Sequence, residues 1–318
     1  MEFENRTPLP AKTLTGSTSD REMLGIVVCK ATFRADGSRL DREEGEEAWP
    51  VFDQPFLFRG RTLQSDMDFR KRGTDLLVFS EAVAPEAKPT SYVRSGVICG
   101  DRAVWIEVLG DRVWVKDGRR LVPSYPAEFL TMPLTNDRAY GGAATFDGQE
   151  VPHLVNPEGR GFVMDPESAD GTPLPNLERP GSLLSNWSDS PEPVSLLRPS
   201  GMSGDLVQAL GEMEPKAQAK SLLDTIFQEA VPELVFPDDA LPETVRLLAA
   251  APEGDVDLPL PPSRGPEVSV RIGRRRSHFP TRLSTVLVLG PERVVIATYR
   301  ALFRYLFSPE ELREAVLG

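Results

Sequence analysis

Acid–base chemistry in this chain would have to run through its two histidines, His153 and His278, or through carboxylates set among glycines, of which Asp137 and Glu158 stand out. His153 lies in EVPHLVNP and His278 in RRRSHFP, and neither has a Cys or a second His at ligand spacing. No metal site and no cofactor is therefore assigned. The chain contains no GxSxG elbow, no P-loop and no GxGxxG, so no catalytic residue is assigned either. Gly159-Arg160-Gly161 is too short, and sits outside a strand-to-helix context, for a phosphate cradle. Arg138 and Arg160 share segments with the two carboxylates. Guanidinium groups so placed either clamp loop carboxylates and carbonyls or grip a partner, and a network of Asp137, Arg138, Glu158 and Arg160 that holds loops is the plainer expectation. The residues set apart for partner binding are Asp137, Arg138, Tyr140, Gly141, Gly142, Asn156, Arg160 and Asn176.

These residues need a particular backbone to hold them. From Phe129 to Glu178 the chain reads FLTMPLTNDRAYGG, NPEGRGF and PLPNLE, dense in Gly, Pro, Asn and Arg. Such closely spaced turn formers demand specific backbone conformations. Apolar anchors at Phe129, Met132, Leu134, Tyr140, Phe162 and Leu174 make the stretch a long ordered loop region rather than a linker, and long ordered loops commonly carry function.

Around that region the patterns are those of strands. GIVVCKATFRADG ends in an Asp36-Gly37 turn, Asp75 to Ala84 is a continuous apolar run, and Ser91 to Val115 holds two or three strands broken at Gly100-Asp101 and Gly110-Asp111. The fold class expected is mainly β, a sandwich or barrel with long loops and a short helical insertion. Residues 1–22 read as a polar arm, 23–128 as a β-rich half, 129–204 as the loop region and 205–251 as the helical insertion. The insertion comprises DLVQALGEM, then KAQAKSLLDTIFQEAV closed by Pro232, then a short helix opening at Leu241-Pro242-Glu243 and ending near Ala251. Residues 252–265 read as a linker, and 266–318 as EVSVRI, a hairpin across Gly290-Pro291 and a last helix from Ser308.

Composition narrows the function. Thirty prolines among 318 residues disfavour a helical bundle, and a net charge of −12 argues against nucleic-acid binding. Against that background Arg271, Arg274, Arg275 and Arg276, with Arg264 and Arg282 nearby, form the one basic patch. It serves either as a solvated strand edge guarded against aggregation or as a docking site for an acidic partner. Cys29 and Cys99 sit in apolar runs and are expected to be buried and reduced. The N-terminal residues contain no apolar core of a signal peptide, and no run approaches the length of a membrane span, so a cytoplasmic protein without membrane insertion is expected.

The blocks MPLTNDRAYGG, NPEGRGF and LPNLE, in that order, resemble the signature of a family of type VI secretion accessory proteins. GIVVCKATF, KRGTDLLVFSEAVAP and GDRVW upstream, and LSTVLVLGPERVVIATYRALF with its Tyr299-Arg300 pair downstream, extend the likeness over most of residues 24–180 and again over about 266–303. The resemblance implies a non-catalytic adaptor or chaperone that binds a PAAR-type spike tip or its toxin cargo, and the spike trimer with it. A hydrolase or modifying enzyme built on Asp137, Glu158 or His153, and a structural part of the secreted particle, are the alternatives. After LPNLE the family continues with a Gly-Phe-Gly-Pro turn and a Trp-rich stretch; this chain keeps only Pro199 and Gly201 of the turn, which implies an atypical cargo.

Overall fold

The computed structural model describes residues 1–17, 22–40, 48–69, 71, 73–118, 120–200, 228–307 and 313–318. Every regular element among them is a strand or a single 3-10 turn. Valine, isoleucine and threonine recur through the buried parts of the longest strands, where β-branched residues fit a pleated surface. Glu22–Phe33 runs antiparallel along Val294–Leu306 for its whole length, from Val295↔Phe33 to Leu306↔Glu22. Val294–Leu306 in turn forms a hairpin with Arg275–Leu289 across Gly290 and Pro291, as the sequence pattern anticipates.

The large sheet built on this hairpin has the order Glu2–Asn5, Arg313–Leu317, Arg264–Ile272, Arg275–Leu289, Val294–Leu306, Glu22–Phe33, Ala11–Ser17. Its first and last strands are neighbours in sequence, so the short link between them spans the gap. Arg6 N donates to the Leu317 carbonyl at 2.8 Å on one side of that gap, and Lys30 N to the Pro10 carbonyl at 3.0 Å on the other. The sheet thereby curls into a nearly closed barrel, which removes most of its free edge. Thr74–Phe79 adds a strand parallel to Thr285–Leu289, and all six of its residues are buried, as a parallel pair covered on both faces requires.

A second sheet has the order Leu177–Glu178, Arg102–Leu109, Tyr92–Cys99, Thr244–Ala251, Gly254–Pro259. The turn between Cys99 and Arg102 uses Gly100 at φ 62°, where glycine carries no steric penalty. Residues of both sheets, Val97, Leu247, Leu77 and Val288 among them, share one core.

Three expectations are corrected. The helix from Leu241 to Ala251 is the strand Thr244–Ala251, and the linker 252–265 contains its partner Gly254–Pro259. Alanine and leucine favour helix here, but pairing with Tyr92–Cys99 overrides propensity and buries Val245 and Leu247 completely. The polar arm 1–22 supplies the two strands at the barrel's closure. At the C-terminus Arg313–Leu317 is a strand with Ala315 and Leu317 buried; the helix start at Ser308 lies outside the described residues. The helices expected over 205–227 also lie outside them. Ala230, at the end of that run, bridges Leu197 in extended conformation.

Candidate functional site

The signature region is a folded unit with its own small core, in which Trp114, Tyr140, Ala169, Leu174 and Leu184 pack together. Two asparagines organise its backbone, and both are 0% exposed. Asn156 Nδ2 donates to the carbonyls of Asn136 at 2.8 Å and Tyr140 at 2.9 Å, while its own carbonyl accepts Gly142 N at 2.8 Å. Asn176 Nδ2 donates to the Leu109 carbonyl and to Asp111 Oδ1, both at 3.0 Å, and its backbone exchanges hydrogen bonds with Leu109 and Arg138. Loop backbone removed from water must find such partners, and the two amide groups supply donors to its carbonyls.

The double glycine follows from the same crossing. Gly141 (φ 142°) and Gly142 (φ 91°) occupy conformations closed to other residues, and a Cβ on either would be driven into the carbonyl of Asn156 or of Gly159. Here Tyr140-Gly141 pairs in parallel with Arg160-Gly161, which joins the first signature block to the second.

On the outer side, Arg138 and Arg160 converge on Asp111 and Asp137. Arg138 Nη1 reaches Asp111 Oδ1 at 3.1 Å and Asn176 Oδ1 at 3.2 Å. Arg160 Nε donates to the Asp137 carbonyl at 2.8 Å, with its Nη2 3.7 Å from the Asp137 carboxylate. The structure thus brings together Asp137, Arg138, Arg160 and Asn176, with Tyr140, Gly141, Gly142 and Asn156 beneath them. Asp111, which the sequence pattern did not single out, and Asp137 each lie within 4.0 Å of both arginines. Glu158 takes no part in this cluster; its charge acts on Arg61 instead.

His153 is held by packing. Its ring lies edge-on to Tyr140 and Phe162, each at 5.2 Å, and Nδ1 accepts Asn156 N at 3.1 Å. Burial lowers its pKa, so it is the neutral ring that serves as acceptor. No hydrogen bond or ion pair joins it to Asp137 or Glu158. His278, on the barrel, pairs with Glu267 at 2.6 Å.

A second polar assembly escaped the sequence reading altogether. Lys30, Thr298 and Arg300 project from one face of the barrel wall, beneath the segment 48–71. Lys30 Nζ pairs with Asp66 at 2.7 Å and lies 4.7 Å above the Phe52 ring. Lys71 Nζ pairs with Asp75 at 2.9 Å and donates to Thr285 Oγ1 at 2.7 Å. Arg300 donates to the carbonyls of Asp68 (2.9 Å) and Lys71. Glu229 closes the set: its backbone N donates to Asp75 Oδ2 at 2.9 Å, and its carboxylate accepts Gln64 N at 3.1 Å. Burial raises the Glu229 pKa, with Lys71 and Arg61 opposing, and burial lowers that of Lys30. These groups surround a cavity of about 40 Å³, room for one or a few waters. The available signal was a charge inside an apolar strand run: Lys30 in IVVCKATF, Asp75 in TDLLVF and Arg300 in ATYRALF. A buried charge is tolerated only with a partner, so each of the three implied one.

Among the described residues no group of three or more His, Cys, Asp or Glu could hold a metal ion, and no helix is long and apolar enough to cross a membrane. Cys29 and Cys99 are free, buried thiols, both pushed up to about 12 by burial.

These features define a class: a β-barrel-like protein carrying a braced, glycine-dependent loop unit and a buried ion cluster. The chain belongs to the family described as uncharacterized proteins conserved in bacteria (DUF2169), whose model matches residues 20–300. No curated protein and no solved structure matches it.

Proposed function

We propose that this protein is a non-catalytic adaptor or chaperone of type VI secretion, which holds a PAAR-type spike tip or its toxin cargo in the cytoplasm and assists its loading onto the spike. The observation that carries this reading is how the signature region divides its residues. The asparagine amides serve its own backbone: Asn156 and Asn176 donate to the carbonyls of Asn136, Tyr140 and Leu109. Val113, Val115, Tyr125, Leu130, Phe146, Leu154, Met164 and Leu183, by contrast, are exposed large apolar groups between residues 113 and 183, with Tyr125 98% exposed. A folded unit whose asparagine amides serve its own backbone while large apolar groups face water has the character of a binding surface. The order of the three signature blocks supports the assignment to type VI cargo handling, because the resemblance rests on them. Arg138 and Arg160, partly exposed at the rim, stand where they can meet partner carboxylates.

Co-expression with the product of a neighbouring PAAR or toxin gene tests the proposal. The expected result is a stable complex that keeps the partner in solution, weakened by charge substitutions at Leu154 and Tyr125. A partner that stays in solution alone and never co-purifies would overturn it.

A further inference from the structure

The long hairpin of the barrel is paired along only part of its length. Its two strands share a ladder from Leu289↔Val294 to Arg282↔Arg300, and there it stops. Beyond that point, among the described residues, Arg275–Thr281 pairs only with Arg264–Ile272, and Ala301–Leu306 only with Glu22–Phe33. Pro280, which has no N–H to give, sits next to the break. The barrel wall is therefore split between two strand edges that face one another, with no ladder joining them among the described residues.

Side chains make the split a site. A cleft of about 520 Å³ opens there; Ile272, Phe279, Phe303 and Tyr305 line it together with the charged groups of Glu22, Arg275 and Arg304. Gly25 leaves room for the Phe303 ring, which lies 5.6 Å from that of Phe279. Burial alternates along both edges: Ser277, Phe279, Phe303 and Tyr305 turn inward, while Arg276, His278, Arg304 and Leu306 turn outward. Arg274, Arg275 and Arg276 form no ion pair with any described residue, and Arg304 reaches only Glu22, at 3.6 Å. The opening combines aromatic groups with Arg275 and Arg304, and Arg274 and Arg276 lie next to it in the chain.

We infer that the split receives an extended segment of a partner protein as an added strand. Its inward residues are apolar and meet Phe279, Phe303 and Tyr305. Its outward residues are acidic and lie between Arg276 and Arg304. Because the two edges are themselves antiparallel, the incoming strand runs parallel to one and antiparallel to the other. Main-chain hydrogen bonds supply affinity in this mode, and the alternating side chains supply selectivity.

The test uses the full chain and three labelled heptapeptides, the length of the Arg275–Thr281 edge, read by fluorescence anisotropy. One alternates valine with glutamate, one valine with lysine, and one carries proline at the centre of the acidic sequence. The acidic peptide should bind, the lysine peptide about tenfold more weakly or not at all, and the proline peptide not at all. Ser277→Cys with Tyr305→Cys places thiols at positions that would face each other if the ladder continued. Oxidation should close the split and abolish binding, and reduction should restore it, while Cys29 and Cys99 stay buried. Should that variant not fold, Arg276→Glu with Arg304→Glu must reverse the preference between acidic and basic peptides. Equal binding of all three peptides, or undiminished binding to the oxidised variant, would overturn the inference. The peptides carry no cargo sequence, so their result stands apart from the fate of the adaptor reading.

Discussion

Replacing Arg300 by methionine should destabilise the barrel more than any single surface change. The guanidinium donates to the Asp68 and Lys71 carbonyls and lies 3.4 Å from the Asp68 carboxylate, with both side chains almost fully buried. Methionine fills most of the space of the arginine stem, so the packing loss is small. What remains is a buried carboxylate that has lost the Arg300 guanidinium and two carbonyls that have lost its N–H donors. Breaking a buried pair in this way costs about 3–5 kcal/mol. At roughly 2–4 °C per kcal/mol for chains of 150–250 residues, and somewhat less for one this long, Tm should fall by about 5–15 °C. The assay is thermal and urea unfolding followed by near-ultraviolet circular dichroism. A second variant identifies the cause. Arg300→Met with Asp68→Asn removes the carboxylate's charge as well but keeps an acceptor for Lys71 N, and it should recover about half of the loss, leaving the share owed to the carbonyls, about 1–3 kcal/mol. A single variant within about 2 °C of the wild type, or a double variant no more stable than the single, would refute the claim that this cluster clasps the 48–71 segment to the wall.

Three further outcomes follow from the same geometry. Asn156→Ala removes donors to two buried carbonyls and should cost about 2–4 kcal/mol, at about 1–3 kcal/mol for each unsatisfied group less relaxation, read as a lower urea midpoint. Because burial raises the Glu229 pKa, its folded form prefers the protonated state; that contribution is complete below the ordinary value of 4.5 and is lost as pH rises through the raised folded value. Glu229→Gln should therefore flatten the fall of the urea midpoint with rising pH above 4.5, and a slope identical to wild type would count against the assignment. Cys29 and Cys99, buried and with thiols held at about 12, should resist Ellman's reagent in the native protein and react fully in 6 M guanidinium; fast native labelling of either would contradict their burial.

Local sequence determined the strands of the barrel and the turns that join them. Runs such as GIVVCKATF and LSTVLVLG can do little else than pair, and Gly100-Asp101 and Gly290-Pro291 mark their own hairpins. It also determined that the Gly141-Gly142 and Asn156 blocks would need special backbone, since those residue types are expensive unless the conformation demands them. Tertiary structure decided the rest. Thr244–Ala251 carries good helix formers and became a strand because a partner edge was waiting at Tyr92–Cys99. Residues 1–17, polar and unremarkable in one dimension, close the barrel because its two ends meet there. The ion cluster joins Lys30, Asp66, Lys71, Glu229 and Arg300 from across the chain, and no local pattern can report partners so distant in sequence. The split in the hairpin is of the same kind: it depends on how Arg264–Ile272 and Glu22–Phe33, distant in sequence from each other, hold the two strands.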